Sequence, residues 1–250
     1  MQNLVEFAVD IARQAGRLTM RHFGDADLMV DHKDDDSPVT VADREAERLL
    51  RELITDRFPA DAVVGEEHDD TRGTSGRIWY LDPIDGTKSF VHGVPLFSNL
   101  VACADPDGPL VGVINCPALN ETTWAGRDAG CFHNDTPARV SKVDVLARAY
   151  VTTSGLEWWP PSLASQMVEA PFTWRTWGDG YGYSLVATGR VDAMVDPGAA
   201  VWDLAPVPVI MQQAGGVFTS LDGGQQTAGS GSGLASNGLI HDALLQYFAD

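Results

Sequence analysis

WYLDPIDGT, at residues 79–87, joins an apolar run of strand type to two acids, a proline and a helix start. A strand that ends this way delivers side chains to a cleft at the sheet's edge. Asp82 and Asp85 stand three apart, and Pro83 forces an extended or turn backbone between them. Gly86-Thr87 then offers free amide N–H groups where a helix begins, which suits an anion. Carboxylates beside an anion cradle would repel a phosphate unless hard divalent cations sit between them. Mg²⁺ meets that need, because it takes oxygen ligands from a few carboxylates and from phosphate. Two such ions can activate water and stabilise a leaving oxygen.

Taken alone, DPIDG reads as a turn capped by Asp. Two further acidic clusters change the balance: VVGEE at 63–67 and WDLAP at 202–206. Each also has a plain reading alone, Glu-Glu as surface and Asp203 as a helix N-cap. The three in this order, in one acidic chain, point to a shared metal site.

Outward from these clusters, the chain of 250 residues is 44% hydrophobic and 21% charged, an ordinary globular composition. It carries 17 basic and 35 acidic residues, a net charge of −18, and 26 of the acids are Asp. Nucleic acid and anionic membranes are therefore excluded as partners through bulk electrostatics. No stretch approaches the ~20 apolar residues of a membrane helix. The opening MQNLVEFAVDIARQAG lacks the form of a signal peptide, and Cys103, Cys116 and Cys131 read as reduced thiols, so a cytoplasmic protein is expected.

Leu4, Phe7, Ala8, Ile11, Ala15 and Leu18 mark an amphipathic helix. A second helix starts near Thr40, where Thr40 and Asp43 fit a capping box, and Pro59 helps to end it. Strands are expected at 62–64, 78–81, 97–103, 109–115 and 121–125, with DPDG (105–108) as a turn. Beyond residue 148 the pattern alternates. Strands are expected at 149–153, 172–175, 191–195 and 216–220, and helices at 162–169, 181–189, 203–214 and 239–249. GGQQTAGSGSG (223–233) is read as a loop. The expected division is an N-terminal α+β domain over 1–143, with most of the metal ligands. An α/β domain over 144–250 then carries the substrate-selecting segment and the last ligand. The six histidines show no metal spacing, Ser154 has no His partner in sequence, and Trp177 could wall a pocket.

GEE (65–67), DPIDGT (82–87) and WDLAP (202–206) resemble the signature of the inositol monophosphatase superfamily of Mg²⁺-dependent, lithium-sensitive phosphatases. KDDDSPVTVAD (33–43), AGG (214–216) and LASNGLIHDALL (234–245) match it as well. DGTKSFVHGVPLF (85–97) and RTWGDGYGYSLVATGRVD (175–192) are most similar to the histidinol-phosphate phosphatase branch. The resemblance implies a layered αβαβα sandwich of the inositol monophosphatase and fructose-1,6-bisphosphatase type. It implies hydrolysis of L-histidinol phosphate in histidine biosynthesis by in-line attack of metal-activated water, in a homodimer. Rival readings are an inositol-1-monophosphatase or related sugar phosphatase, and a catalytically idle relative that binds metal or a partner.

By the same resemblance, two or three Mg²⁺ ions are expected, with Mn²⁺ able to substitute. Glu66, Asp82, the Ile84 carbonyl, Asp85 and Asp203 would be the metal ligands, with Asp82 bridging. Glu66 and Thr87, with Asp82, would carry catalysis, and the Gly86 and Thr87 amides would hold phosphate. Glu67 and Lys33 would support the site from behind and from a closing loop, with Asp34–Asp36 left without a role. Asp85, Asp203, Arg175, Asp179 and Asp196 would touch substrate. Asp196 stands seven residues before Asp203, where relatives carry an acid, often the longer Glu. Asp179 could instead cap the helix that follows it.

Overall fold

The structure is a computed structural model that describes residues 1–33, 37–161, 167–224 and 231–249. Asp34–Asp36, most of the helix expected at 162–169 and the middle of the 223–233 stretch lie outside the described residues. Helix α1 runs Gln2–Thr19 and α2 runs Val41–Arg57. Thr40 is the N-cap of α2, and its backbone N–H donates to Asp43 Oδ2 at 2.8 Å, so the expected capping box forms. A hairpin of β1 (Val30–His32) and β2 (Pro38–Thr40) precedes α2.

Seven strands form the first sheet in sequence order: β3 (Ala62–Gly65), β4 (Ile78–Asp85), β5 (Ser98–Asp105), β6 (Gly108–Cys116), β7 (Glu121–Gly126), β8 (Gly130–His133) and β9 (Thr136–Pro137). Only β3 and β4 pair in parallel; the rest are antiparallel. Short helix α3 (Thr87–Val91) follows β4. The second sheet is mixed. Its strands are β10 (Tyr150–Thr152), β11 (Thr173–Arg175), β12 (Ala193–Ala199), β13 (Val217–Thr219) and β14 (Gly231–Ser236), in the order β11-β10-β12-β14-β13. Helices α4 (Asp179–Ala187), α5 (Val201–Leu204), α6 (Val207–Ala214) and α7 (His241–Ala249) complete the fold.

Strand alternation sorts the core into layers. Trp79, Leu81, Val101, Cys103, Val111 and Val113 face one way and pack under Ile11, Ala15, Leu50 and Ile54 of the first two helices. Leu100, Ile114, Cys116 and Ala125 face the other way, onto Leu185, Val186, Ile210 and Met211 of α4 and α6. Those helices rest on Met194 and Ala235 of the second sheet. Val151, Ala193, Val195 and Leu234 on its far side are covered by Leu244 and Phe248 of α7. The result is the αβαβα sandwich.

Three differences from the sequence reading bear on the site. β4 continues through Asp82-Pro83-Ile84-Asp85 rather than stopping at Leu81. The helix expected at 203–214 is two, broken at Ala205-Pro206, and the first places Asp203 in its opening turn. Gly231–Gly233, read as loop, opens β14, where pairing with β12 overrides poor strand propensity, and β13 joins the other edge from Leu234 on. The described end of the 162–169 segment, Met167–Glu169, is a 3₁₀ turn. No described helix is long and apolar enough to cross a membrane.

Candidate active site

Residues three apart on a regular strand point to opposite faces. Asp82 and Asp85 escape that rule because β4 bulges. Asp82 lies opposite Leu100 and Asp85 opposite Ser98, so β4 spends three residues where β5 spends two. Pro83 is suited to the bulge, since it has no N–H to leave unpaired. The chain then turns at Gly86, whose φ is +79°. A Cβ there would also lie 2.9 Å from Asp179 Oδ2, so a side chain is refused on two grounds. Thr87 opens α3 and its Oγ1 donates to the Ile84 carbonyl at 2.9 Å.

The second half of the chain brings Asp203. Its Oδ2 accepts the Ala200 N–H at 2.8 Å, which fixes it at the start of α5. Carboxylate oxygens of Asp82, Asp85 and Asp203 then lie within 4.8 Å of one another. Asp85 Oδ2 accepts from Ser98 Oγ and from the Gly180 N–H, both at 2.6 Å, so the start of α4 holds it as well. Asp82 Oδ1 is buried without a hydrogen-bond partner.

Glu66 and Glu67 follow β3, the parallel neighbour of β4. The turn is anchored from α2, where fully buried Glu47 accepts the Glu67 N–H at 2.6 Å and Arg51 Nε at 2.6 Å. Lys33 Nζ donates to Glu66 Oε1 at 2.6 Å and to Glu67 Oε1 at 2.7 Å. Burial alone would lower the Lys33 pKa, but the two glutamates overcome that and hold it above its ordinary value. Burial raises Glu67, and Lys33 opposes the rise. Asp43 was legible only as a cap. It is buried with Oδ1 unpartnered, and burial, with the charges of Glu67 and Glu66, lifts it to about 6 against the pull of Thr40. Nothing in the local sequence could reveal that setting, because the glutamates reach it through the fold.

Glu66, Asp82, Asp85, Thr87 and Asp203 line a cavity of about 320 Å³ together with Ser37, Gly86, Lys88, Leu96, Ser154, Trp158 and Asp179. Asp179 begins α4 at φ +55°. The helix N-cap is Gly178, with no side-chain capping bond, so Asp179 does not act as the cap. Its backbone N–H donates to Ser154 Oγ at 2.9 Å. Trp158, 60% exposed, lines the cavity.

Of the other expected substrate contacts, Arg175 is not among the residues lining this cavity, whereas Asp196 lines an adjoining one of about 530 Å³ with Glu66, Asp85, Asp179 and Asp203. Arg175 Nη1 donates to the Trp174 carbonyl at 2.7 Å, and its guanidinium stands over Tyr150 and Trp177. Trp177 lines an apolar groove with Leu156, Val168 and Trp174, so Trp158 takes the wall position expected of it. Asp196 is buried, with Oδ1 accepting Ser154 Oγ at 2.7 Å and Oδ2 accepting Tyr183 O–H at 2.8 Å. Both oxygens thus have protein donors. The short Asp side chain braces Ser154, and through it the Asp179 turn.

Crowded acids in a buried cluster resist ionising together. Burial first, then the charges of Glu66, Asp85 and Asp203, push Asp82 well above the carboxylate range. Burial, then Asp179 and Asp203, do the same to Asp85. Asp203 is raised to about 7, mainly by burial, against the Ala200 N–H, and it shares a hydrogen bond with Asp82. Burial also lifts Asp196 to about 6. With divalent ions chelated, the folded protein thus holds protons that the unfolded chain releases near pH ~4. Stability is then lost as pH rises through these raised values. We expect the melting temperature in chelator to fall between about pH 4 and 7, and Mg²⁺ to flatten the fall. A chelated melting temperature that rises across that window would refute the electrostatic picture.

The Inositol monophosphatase family model matches residues 1–250. The chain is 42% identical over 247 residues to the histidinol-phosphatase of Mycobacterium tuberculosis, covering 95% of each. It is 33% identical to the fructose-1,6-bisphosphatase/inositol-1-monophosphatase of Thermotoga maritima, covering 97% of this chain and 94% of the relative. The solved Thermotoga maritima IMPase superposes with a TM-score of 0.90 at 33% identity, over 100% of this chain and 97% of that one.

Proposed function

The chain belongs to the inositol monophosphatase family, and from that premise we propose that it is a Mg²⁺-dependent phosphatase that hydrolyses L-histidinol phosphate. The observation that carries the substrate is Asp179. Its carboxylate stands in the wall of the cavity that holds Glu66, Asp82, Asp85 and Asp203. Histidinol phosphate is cationic at its amine, and a polyol phosphate is not. The 42% identity to a histidinol-phosphatase supports the same reading.

The residues fit a hard dication. Every candidate ligand is an oxygen, and Asp82 keeps a buried oxygen with no other partner. Glu66, Asp82, the Ile84 carbonyl, Asp85 and Asp203 would hold two or three ions, Mg²⁺ or Mn²⁺. Bound there, the ions neutralise phosphate charge and acidify water. The Gly86 and Thr87 amides receive the phosphate at the start of α3, and Asp179 and Trp158 receive the amine and imidazole. Water adds to phosphorus as the P–O bond to histidinol breaks. Glu66, with Thr87, orients that water and accepts its proton, and histidinol oxygen takes up a proton on leaving. Lys33 bridges Glu66 and Glu67 and so holds the acceptor in place.

The test is phosphate release from histidinol phosphate, inositol 1-phosphate and fructose 1,6-bisphosphate, with and without Mg²⁺. Histidinol phosphate should be cleaved with the highest kcat/KM, and only with the metal. Faster turnover of either sugar phosphate would sink the substrate assignment. We also propose a homodimer, consistent with Leu156, Val168 and Trp177 exposed around one apolar groove. A monomer mass by light scattering would exclude it.

A further inference from the structure

We propose that Asn99 is a positioning residue that locks the 82–85 turn in its bulged form and so sets the affinity for metal. The proposal rests on the reading that Asp82 and Asp85 hold Mg²⁺. The two acids share one side only because of the bulge, and a bulge takes backbone groups out of the ladder. Ile84 O is taken by Thr87 Oγ1. Pro83 O is taken by Asn99 Nδ2 at 2.7 Å, from the facing strand. A carbonyl can only accept, so the Asn99 amide must turn its nitrogen toward Pro83.

A buried network enforces that orientation. Asn99 is fully buried, and its Oδ1 accepts from Asn115 Nδ2 at 2.8 Å, across the β5–β6 register. The same Asn115 nitrogen donates to the Ala12 carbonyl of α1 at 3.3 Å, while its Oδ1 accepts Thr122 Oγ1 at 2.9 Å. Helix α1 closes the layer at Gly16, where a Cβ would lie 2.4 Å from Asn115 Nδ2 and 2.9 Å from Asn99 Oδ1. Strands and helix thus fix two amides, and the inner one grips the middle of the metal-holding turn. Asn99 is not among the residues lining the cavity, so it acts through the turn alone. Without its donor, Pro83 O is left buried and unpaired. The bulge then loses the contact that favours it over other turns, and the two carboxylates lose their common facing.

Asn99→Leu keeps the bulk and removes the donor; Asn99→Ser cannot span to Pro83. Val113→Ala, a core truncation on β6 in the same sheet, matches the loss of packing without touching the turn. Mg²⁺ binding to the chelator-stripped full chain is measured by calorimetry, with melting temperature and steady-state kinetics beside it. Residues that support ligands from behind typically set metal affinity by 10- to 100-fold. Both Asn99 variants should raise the Mg²⁺ Kd about tenfold or more. At saturating Mg²⁺ they should keep kcat within about threefold, and Val113→Ala should leave Kd within about twofold. An Asn99→Leu Kd within about twofold of wild type overturns the proposal, as does an equal weakening by Val113→Ala. If Asn99→Leu does not fold, Asn99→Ser decides by the same criteria. Asp82→Asn, run alongside, separates the two readings. Unchanged Mg²⁺ affinity there removes the metal assignment and this proposal with it. Loss there with none at Asn99 removes only this proposal.

Discussion

Asp82→Asn is expected to abolish turnover while leaving the fold intact or more stable. Asp82 is fully enclosed, raised by burial and by three neighbouring acids, and unpartnered at Oδ1. Such a group destabilises the protein unless a cation meets it. Asparagine removes the repulsion and the desolvated charge at constant shape. With Mg²⁺ chelated, the variant should therefore melt at or above the wild-type temperature. The same change removes a shared ligand. A metal's stabilisation of developing charge is worth several kcal/mol, and about 4 kcal/mol is about a 10³-fold loss in kcat/KM. Mg²⁺ should no longer raise the melting temperature. Near wild-type turnover at saturating Mg²⁺ would refute the role, and a collapse in stability without metal would refute the electrostatic account.

Asp179→Asn should separate substrates. The residue adopts φ +55°, where Asn is tolerated and most side chains are not, so this change keeps the backbone and removes the charge. A hydrogen bond to a charged amine is worth about 1.5–3 kcal/mol. That predicts a loss in kcat/KM for histidinol phosphate of about one to two orders of magnitude. Glycerol 2-phosphate, which carries no amine, should change little. Trp158→Ala should likewise weaken histidinol phosphate alone, by loss of a face for its imidazole. Equal losses on both esters would assign Asp179 to the metals or the fold. No loss on either would leave it a bystander in the cavity wall.

The first two helices and the strand runs of the first sheet were legible because their signals are local. The α1 stripe needs only a period of 3.6, and the Thr40 cap needs only its own first turn. The acidic clusters were legible by type and order, since carboxylates beside a Gly-Thr helix start have few uses without a cation. Their chemistry was therefore in the sequence; their geometry was not. That Asp82 and Asp85 share a face depends on a bulge whose carbonyl is gripped by Asn99, an unremarkable residue in an apolar run. Asp196 and Arg175 read as substrate contacts by position along the chain. Asp196 lines a cavity beside Asp203, but its oxygens are bonded to Tyr183 and Ser154, the former 13 residues away and the latter 42, and Arg175 stands over aromatic faces. Asp43 read as a cap, and only the approach of Glu66 and Glu67 made it part of an acidic site. A sequence records which groups are available and how each prefers to sit beside its neighbours. Which way a buried carboxylate points is decided by donors that arrive from other strands and helices, and only tertiary packing brings those within reach.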